Sequence, residues 1–158
     1  MAKQLAQGMG QAPGRAIIVD QDHTEMTYAT ALRMAKYFDQ ITLVTSRERF
    51  ANDVSLINRQ GILKRLFESQ VELICHVEPE GVAQLEAGQF TLRNVYNGKL
   101  ESLESVATVI HASSRVPNDF LLEPLLAEGL DAIPLGDCKA PRSLMSATRE
   151  GYDIAKAL

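Results

Sequence analysis

Arg15-Ala16-Ile17-Ile18-Val19-Asp20, running on into Gln21-Asp22-His23-Thr24-Glu25-Met26, is the stretch on which the fold turns. Four apolar residues in a row, with no alternation, suit a strand covered on both faces, as in a parallel sheet. From Thr24, whose side chain suits an N-cap, the residues Tyr28, Ala31, Leu32, Ala35 and Phe38 recur at steps of three and four and predict an amphipathic helix. Ile41-Thr42-Leu43-Val44 then repeats the apolar-strand pattern, so residues 15–44 scan as a βαβ unit, whose crossover is right-handed and whose strands are therefore parallel. A second helical pattern (Leu56, Ile57, Ile62, Leu63, Leu66 and Phe67, interrupted by Gly61) leads to Val71-Glu72-Leu73-Ile74, and the order becomes βαβαβ.

Beyond Pro79 the character changes. Three short segments, residues 82–86, 89–96 and 99–103, are divided by Ala87-Gly88 and Asn97-Gly98 and predict an antiparallel meander, Asn-Gly being a strong hairpin signal. Residues 106–110 read as another buried strand, Ser113 to Asn118 as a loop, and residues 121–128 as a short helix ended by Gly129. Ala132-Ile133-Pro134-Leu135 is expected to form a last strand, demoted toward an edge by Pro134, and Ser143 to cap a final helix. The expected class is α/β: a Rossmann-like, three-layer domain with a central parallel sheet and an antiparallel β-meander insertion. Residues 1–14, with Gly8, Gly10, Pro13 and Gly14, read as a linker or tail and residues 15–158 as the nucleotide-binding-type domain.

Composition excludes several classes of function. With 46% hydrophobic and 23% charged residues in 158, the chain is neither disordered nor low-complexity. Sixteen Lys plus Arg against 20 Asp plus Glu give a formal charge of -4, so no positive field gathers phosphate backbones and no nucleic-acid role is expected. Cys75 and Cys138 fit neither a metal-ligand spacing nor a disulfide framework, which predicts a reducing compartment. The start of the sequence shows no apolar signal region and no stretch is long enough to span a membrane; the expected location is the cytoplasm, with no membrane partner. His23, His76 and His111 fall on different predicted segments with no metal spacing, so they are read as packing or surface histidines and no metal ligand is named.

Ile133-Pro134-Leu135-Gly136-Asp137-Cys138-Lys139-Ala140-Pro141-Arg142-Ser143, followed by Ala147, Glu150-Gly151 and Ala155, resembles the motif near the C-terminus of trimethylamine dehydrogenase, histamine dehydrogenase and 2,4-dienoyl-CoA reductase. Val109-Ile110-His111-Ala112-Ser113-Ser114-Arg115-Val116-Pro117-Asn118 is similar to that family's preceding strand and loop. The resemblance covers residues 15–158 and implies the C-terminal module of an FMN and iron–sulfur flavin oxidoreductase, with residues 131–158 resembling the closing segment of its FAD or ADP domain. It assigns nucleotide contact to Gly136, Asp137, Pro141 and Arg142: the glycine admits close backbone approach, Asp137 accepts from ribityl or ribose hydroxyls, and Arg142 meets a phosphate or a carboxylate. Relatives carry an FMN barrel and a 4Fe–4S cluster; two cysteines cannot supply four thiolates, and a barrel needs about 250 residues. The isolated chain is therefore expected to hold no cofactor and to be no catalyst, FAD or ADP binding only within the full enzyme. The implied partners are the remainder of that flavoenzyme and an electron-transfer flavoprotein, and a homodimer is compatible.

A dinucleotide site needs glycines after the first strand, so that the backbone reaches the pyrophosphate at the helix N-terminus. Here that turn, Asp20 to Met26, holds no glycine and three acids, which argues against NAD(P). The competing reading, from a different class, is a non-enzymatic interaction domain that keeps the fold without the nucleotide.

Overall fold

The computed structural model describes residues 12–81 and 85–157, which divide between residues 113 and 114 into two compact units. In the first unit the strands β1 (Ala12–Asp20), β2 (Phe38–Val44), β3 (Glu72–Ile74) and β7 (Val106–Ala112) form an all-parallel sheet in the order β3-β2-β1-β7. Between them lie helices α1 (Glu25–Met34) and α2 (Leu56–Glu68) and the antiparallel meander β4 (Val77–Gly81), β5 (Phe90–Asn94) and β6 (Leu100–Leu103).

The unbroken apolar run of β1 has the cause expected of it, because the alternate side chains of a strand point to opposite faces and here both are covered. Ala16 and Ile18 join Ile41 and Leu43 of β2 against Tyr28, Ala31 and Met34 of α1 and Ile62 and Leu66 of α2. Ile17, Val19 and Val44 point the other way, onto Val77, Phe90, Leu92 and Leu103 of the meander. Helices, parallel sheet and meander thus make the three layers of an α/β, Rossmann-like domain. Each fully buried Ile or Leu adds about 2 kcal/mol of hydrophobic stabilisation, so β1 anchors both cores at once.

Several boundaries differ from those the sequence predicts. Residues 12–14, assigned to the tail, open β1; residues 1–11 lie outside the described set. Phe38 starts β2 instead of closing α1, whose last turn ends at Ala35. The first meander strand is β4, earlier than residues 82–86, of which 82–84 lie outside the described residues and Leu85–Ala87 form a 3-10 turn. Pro79 sits within β4 because β4 is an edge strand, where a missing N–H costs no ladder bond. The Asn97-Gly98 turn joins β5 to β6 as expected, with Gly98 at φ +69°, though Asn94 widens it by bonding Lys99 and accepting the N–H groups of Tyr96 and Asn97.

The second unit carries α3 (Leu122–Ala127), a 3-10 turn at Gly136–Cys138 and α4 (Leu144–Ala157). Residues 132–135 form no strand. Ser143 caps α4, its Oγ accepting the Ser146 N–H at 3.2 Å. Within this unit's described residues only Gly136 is buried, while Val116, Phe120, Leu144, Met145 and Tyr152 are exposed, so the unit has no hydrophobic core of its own. Among the described residues no helix is long and apolar enough to cross a membrane.

Leu66 is fully buried and Leu144 is 85% exposed. Urea unfolding of the isolated chain should therefore show a loss of about 3 kcal/mol for Leu66→Ala and less than about 0.5 kcal/mol for Leu144→Ala.

Candidate functional site

Two places bear on nucleotide chemistry, one in each unit. In the first, the C-terminal end of β1 meets the start of α1, where a parallel α/β sheet ordinarily receives its ligand. Asp20 is buried here, its Oδ1 accepting the His23 N–H at 2.9 Å and its Oδ2 the Tyr28 hydroxyl at 2.6 Å. The Tyr28 oxygen in turn accepts the Ala51 N–H at 2.6 Å, from the loop that follows β2. His23 is fully buried in a left-handed conformation (φ +52°); its Nε2 lies 3.4 Å from the Thr45 hydroxyl and its Nδ1, 3.5 Å from Asp20, makes no hydrogen bond.

Asp22 completes the turn. Its carboxylate accepts the N–H and hydroxyl of Thr24 and, at 2.7 Å, the hydroxyl of Thr27, so the anion at the start of α1 is the chain's own. Thr24 holds the N-cap position but makes no side-chain cap bond, having turned back to Asp22. Burial pushes the Asp20 carboxyl up, against the opposing pull of the Tyr28 and His23 bonds. Burial, reinforced by Asp20, also pushes the Tyr28 phenol up, which keeps it protonated as the donor. The sequence flagged the acids of this turn but not their partners: Tyr28 and Ala51 are 8 and 31 positions from Asp20.

In the second unit the structure brings together three of the four residues that the resemblance assigns to nucleotide contact. Gly136 is buried at φ +60°, a region that favours glycine, and a Cβ there would lie 3.1 Å from that of Ala147. Its N–H donates to Glu150 Oε2 at 2.9 Å. Arg142 bonds the other oxygen of the same carboxylate. Asp137 is 63% exposed; its Oδ1 accepts the Arg142 N–H at 3.4 Å and its Oδ2 stands 3.8 Å from Arg115, which also donates to the Arg142 carbonyl. Pro141 is half-buried and links the turn to Arg142. Glu150 and Arg115, quoted within the motifs but given no role there, are the side chains that organise the cluster.

The groups that the resemblance assigns to nucleotide contact differ in readiness. Gly136 and Arg142 already serve Glu150, whereas the Asp137 carboxylate faces solvent with acceptor capacity to spare, which is what a ribose hydroxyl requires. The residues fit one half of such a site. Among the described residues no group of three or more His, Cys, Asp or Glu side chains is placed to hold a metal ion. Cys75 and Cys138 are free and half-buried, and burial pushes the Cys75 thiol up, away from reactivity.

The Asp20 network yields a pH test with a definite sign. Because its folded carboxyl is raised, the proton binds more tightly in the folded state; that stabilisation is complete below the unfolded value near about 4 and fades as pH rises through the folded one. Urea midpoints should therefore shift in favour of the wild type over Asp20→Asn as the pH is lowered from 7 toward 4. Tyr28→Phe strands both Asp20 and the Ala51 N–H and should cost about 2 kcal/mol or more.

No protein-family model matches the chain, and no curated protein matches it in sequence. Solved structures do. Histamine dehydrogenase from Rhizobium sp. 4-9 superposes over 98% of this chain and 24% of its own, at 24% identity and a TM-score of 0.83. The 6-hydroxypseudooxynicotine amine oxidase of Pseudomonas geniculata N1 covers 96% of this chain and 23% of its own, at 18% identity and 0.80. For 2-naphthoyl-CoA reductase the figures are 99%, 22%, 16% and 0.76. The chain spans about a quarter of the length of these proteins and has, across nearly all of its residues, the fold of that quarter.

Proposed function

We propose that this chain is the C-terminal module of a flavin oxidoreductase of the trimethylamine and histamine dehydrogenase type, a scaffold that contributes part of an adenine-nucleotide site and is not catalytic alone. The observation that carries the reading is the second unit's lack of a core: a 45-residue unit with a capped helix and bare Phe120, Leu144, Met145 and Tyr152 needs an apolar partner to be stable. The remainder of such an enzyme supplies one, and the likeness of fold to a quarter of histamine dehydrogenase supports it.

In this reading Asp137 accepts from the hydroxyls of FAD or ADP and Gly136 lets the backbone close in, while Arg142 and Pro141 hold the turn against α4. FMN and the iron–sulfur cluster belong to the rest of the enzyme, electrons pass to a flavoprotein partner, and the location is cytoplasmic. The bound adenine nucleotide would add affinity between domains; the residues of this chain supply only orientation and one acceptor. The self-filled turn at Asp20 to Thr24 favours one element of the alternative, a domain that keeps the fold and takes no dinucleotide in its first unit.

The reading is tested with the purified chain and with the full enzyme. Alone, the chain should show no flavin or iron–sulfur absorbance; a stoichiometric yellow or brown preparation overturns it. In the full enzyme Asp137→Ala should lower nucleotide retention, measured after gel filtration, while the melting of the isolated chain changes by less than about 1 kcal/mol. Unaltered retention removes Asp137 from the site.

A further inference from the structure

In the Gly136-Asp137 turn the residue before the acceptor is the one whose covalent structure restrains it least: without a Cβ, glycine takes positive and negative φ about equally well. Asp137 follows it directly, so the backbone angles of Gly136 decide where the Asp137 carboxylate points. Three hydrogen bonds restrain that glycine. Its carbonyl accepts the Lys139 and Ala140 N–H groups at 3.1 and 2.9 Å, which closes the turn on itself, and its N–H donates to Glu150 Oε2 at 2.9 Å, which ties the turn to α4. Ala147, three positions before Glu150 and therefore on the same face of α4, packs against the glycine from beneath. Glu150 is itself held: its other carboxylate oxygen takes Arg142, and its side chain is 21% exposed. The bonds of Asp137 are long by comparison, 3.4 Å from the Arg142 N–H and 3.8 Å to Arg115, and bonds of that length do not fix a carboxylate. Its direction comes from the backbone that Glu150 restrains.

We propose that Glu150 is the positioning residue of this turn: by holding the Gly136 N–H it aims the Asp137 carboxylate at a nucleotide hydroxyl. The proposal rests on the functional reading above, in which Asp137 is that acceptor. Both oxygens of Glu150 are engaged by the chain itself, so it acts through Gly136 and Asp137, and Arg142 serves as the brace that keeps its carboxylate against the turn. Reach is then what Glu150 contributes, and its charge is secondary, because the group it must satisfy is a neutral backbone N–H.

Calorimetric titration of the nucleotide-free full enzyme with ADP tests it, circular dichroism verifying that each variant folds. Glu150→Asp keeps the charge and shortens the reach, so the Gly136 N–H loses its acceptor and the affinity should fall about tenfold. Glu150→Gln keeps the reach: its amide oxygen takes the Gly136 N–H while Arg142, 51% exposed, turns to water, and the affinity should stay within about threefold of wild type. Because Glu150 works through Asp137, Glu150→Asp added to Asp137→Ala should weaken ADP less than about twofold beyond Asp137→Ala alone. Loss with Gln as large as with Asp overturns the proposal, since charge would then matter more than reach. So do losses that multiply in the double variant, or a Glu150→Asp enzyme that binds ADP as well as wild type while Asp137→Ala does not. If Asp137→Ala itself leaves the affinity unchanged, the functional reading fails, and the positioning role falls with it.

Discussion

The buried carboxylate of Asp20 is the constraint from which the architecture of the first unit's sheet end follows. A carboxylate at 1% exposure is costly unless every oxygen is bonded, and here each is: one to the turn that starts α1, the other to a tyrosine on α1 that in turn holds the loop after β2. The network ties the ends of two parallel strands to the first helix through three hydrogen bonds. It occupies the place where glycines and a phosphate would lie in a dinucleotide domain, with Asp22 standing at the helix N-terminus. The two cores depend on β1 and its neighbours, and the turn after β1 is part of the packing.

The two units answer to different physics. In the first, apolar residues on both sheet faces are shielded by elements of the same unit, and its stability is local. In the second, the cluster of Gly136, Arg142 and Glu150 and the Ser143 cap hold a turn and a helix in shape, yet among its described residues no apolar side chain is buried. Polar bonds of this kind are worth about 1 kcal/mol each and do not replace a core. A unit so built leaves apolar side chains open to a partner surface, which is the physical basis for the proposal that the chain is part of a larger enzyme.

Much of the fold was legible in the residues, and the reasons are specific. Ala16 to Val19 announce a strand buried on both faces because continuous apolarity is needed only there, and Asn97-Gly98 announces a turn because few other pairs accept its backbone. The misplacements share a cause: patterns of period and punctuation do not report what covers an element. Pro79 looked like a break and lies in an edge strand; Phe38 continued the helical spacing and belongs to β2; residues 132–135 are apolar and form no strand. At the candidate site the Gly136-Asp137 turn and the Ser143 cap were readable, whereas the Glu150 contacts with Gly136 and Arg142 were not, since they bridge 14 and 8 positions through a fold that the spacing does not reveal.

At the end of β1 the chain's own carboxylates and hydroxyls fill the turn where a dinucleotide would meet the sheet. Calorimetric titration of the purified chain with NADPH at ordinary salt tests it most directly. No heat of specific binding is expected up to about millimolar nucleotide; a stoichiometric, submicromolar site would show the turn to be open to a dinucleotide after all.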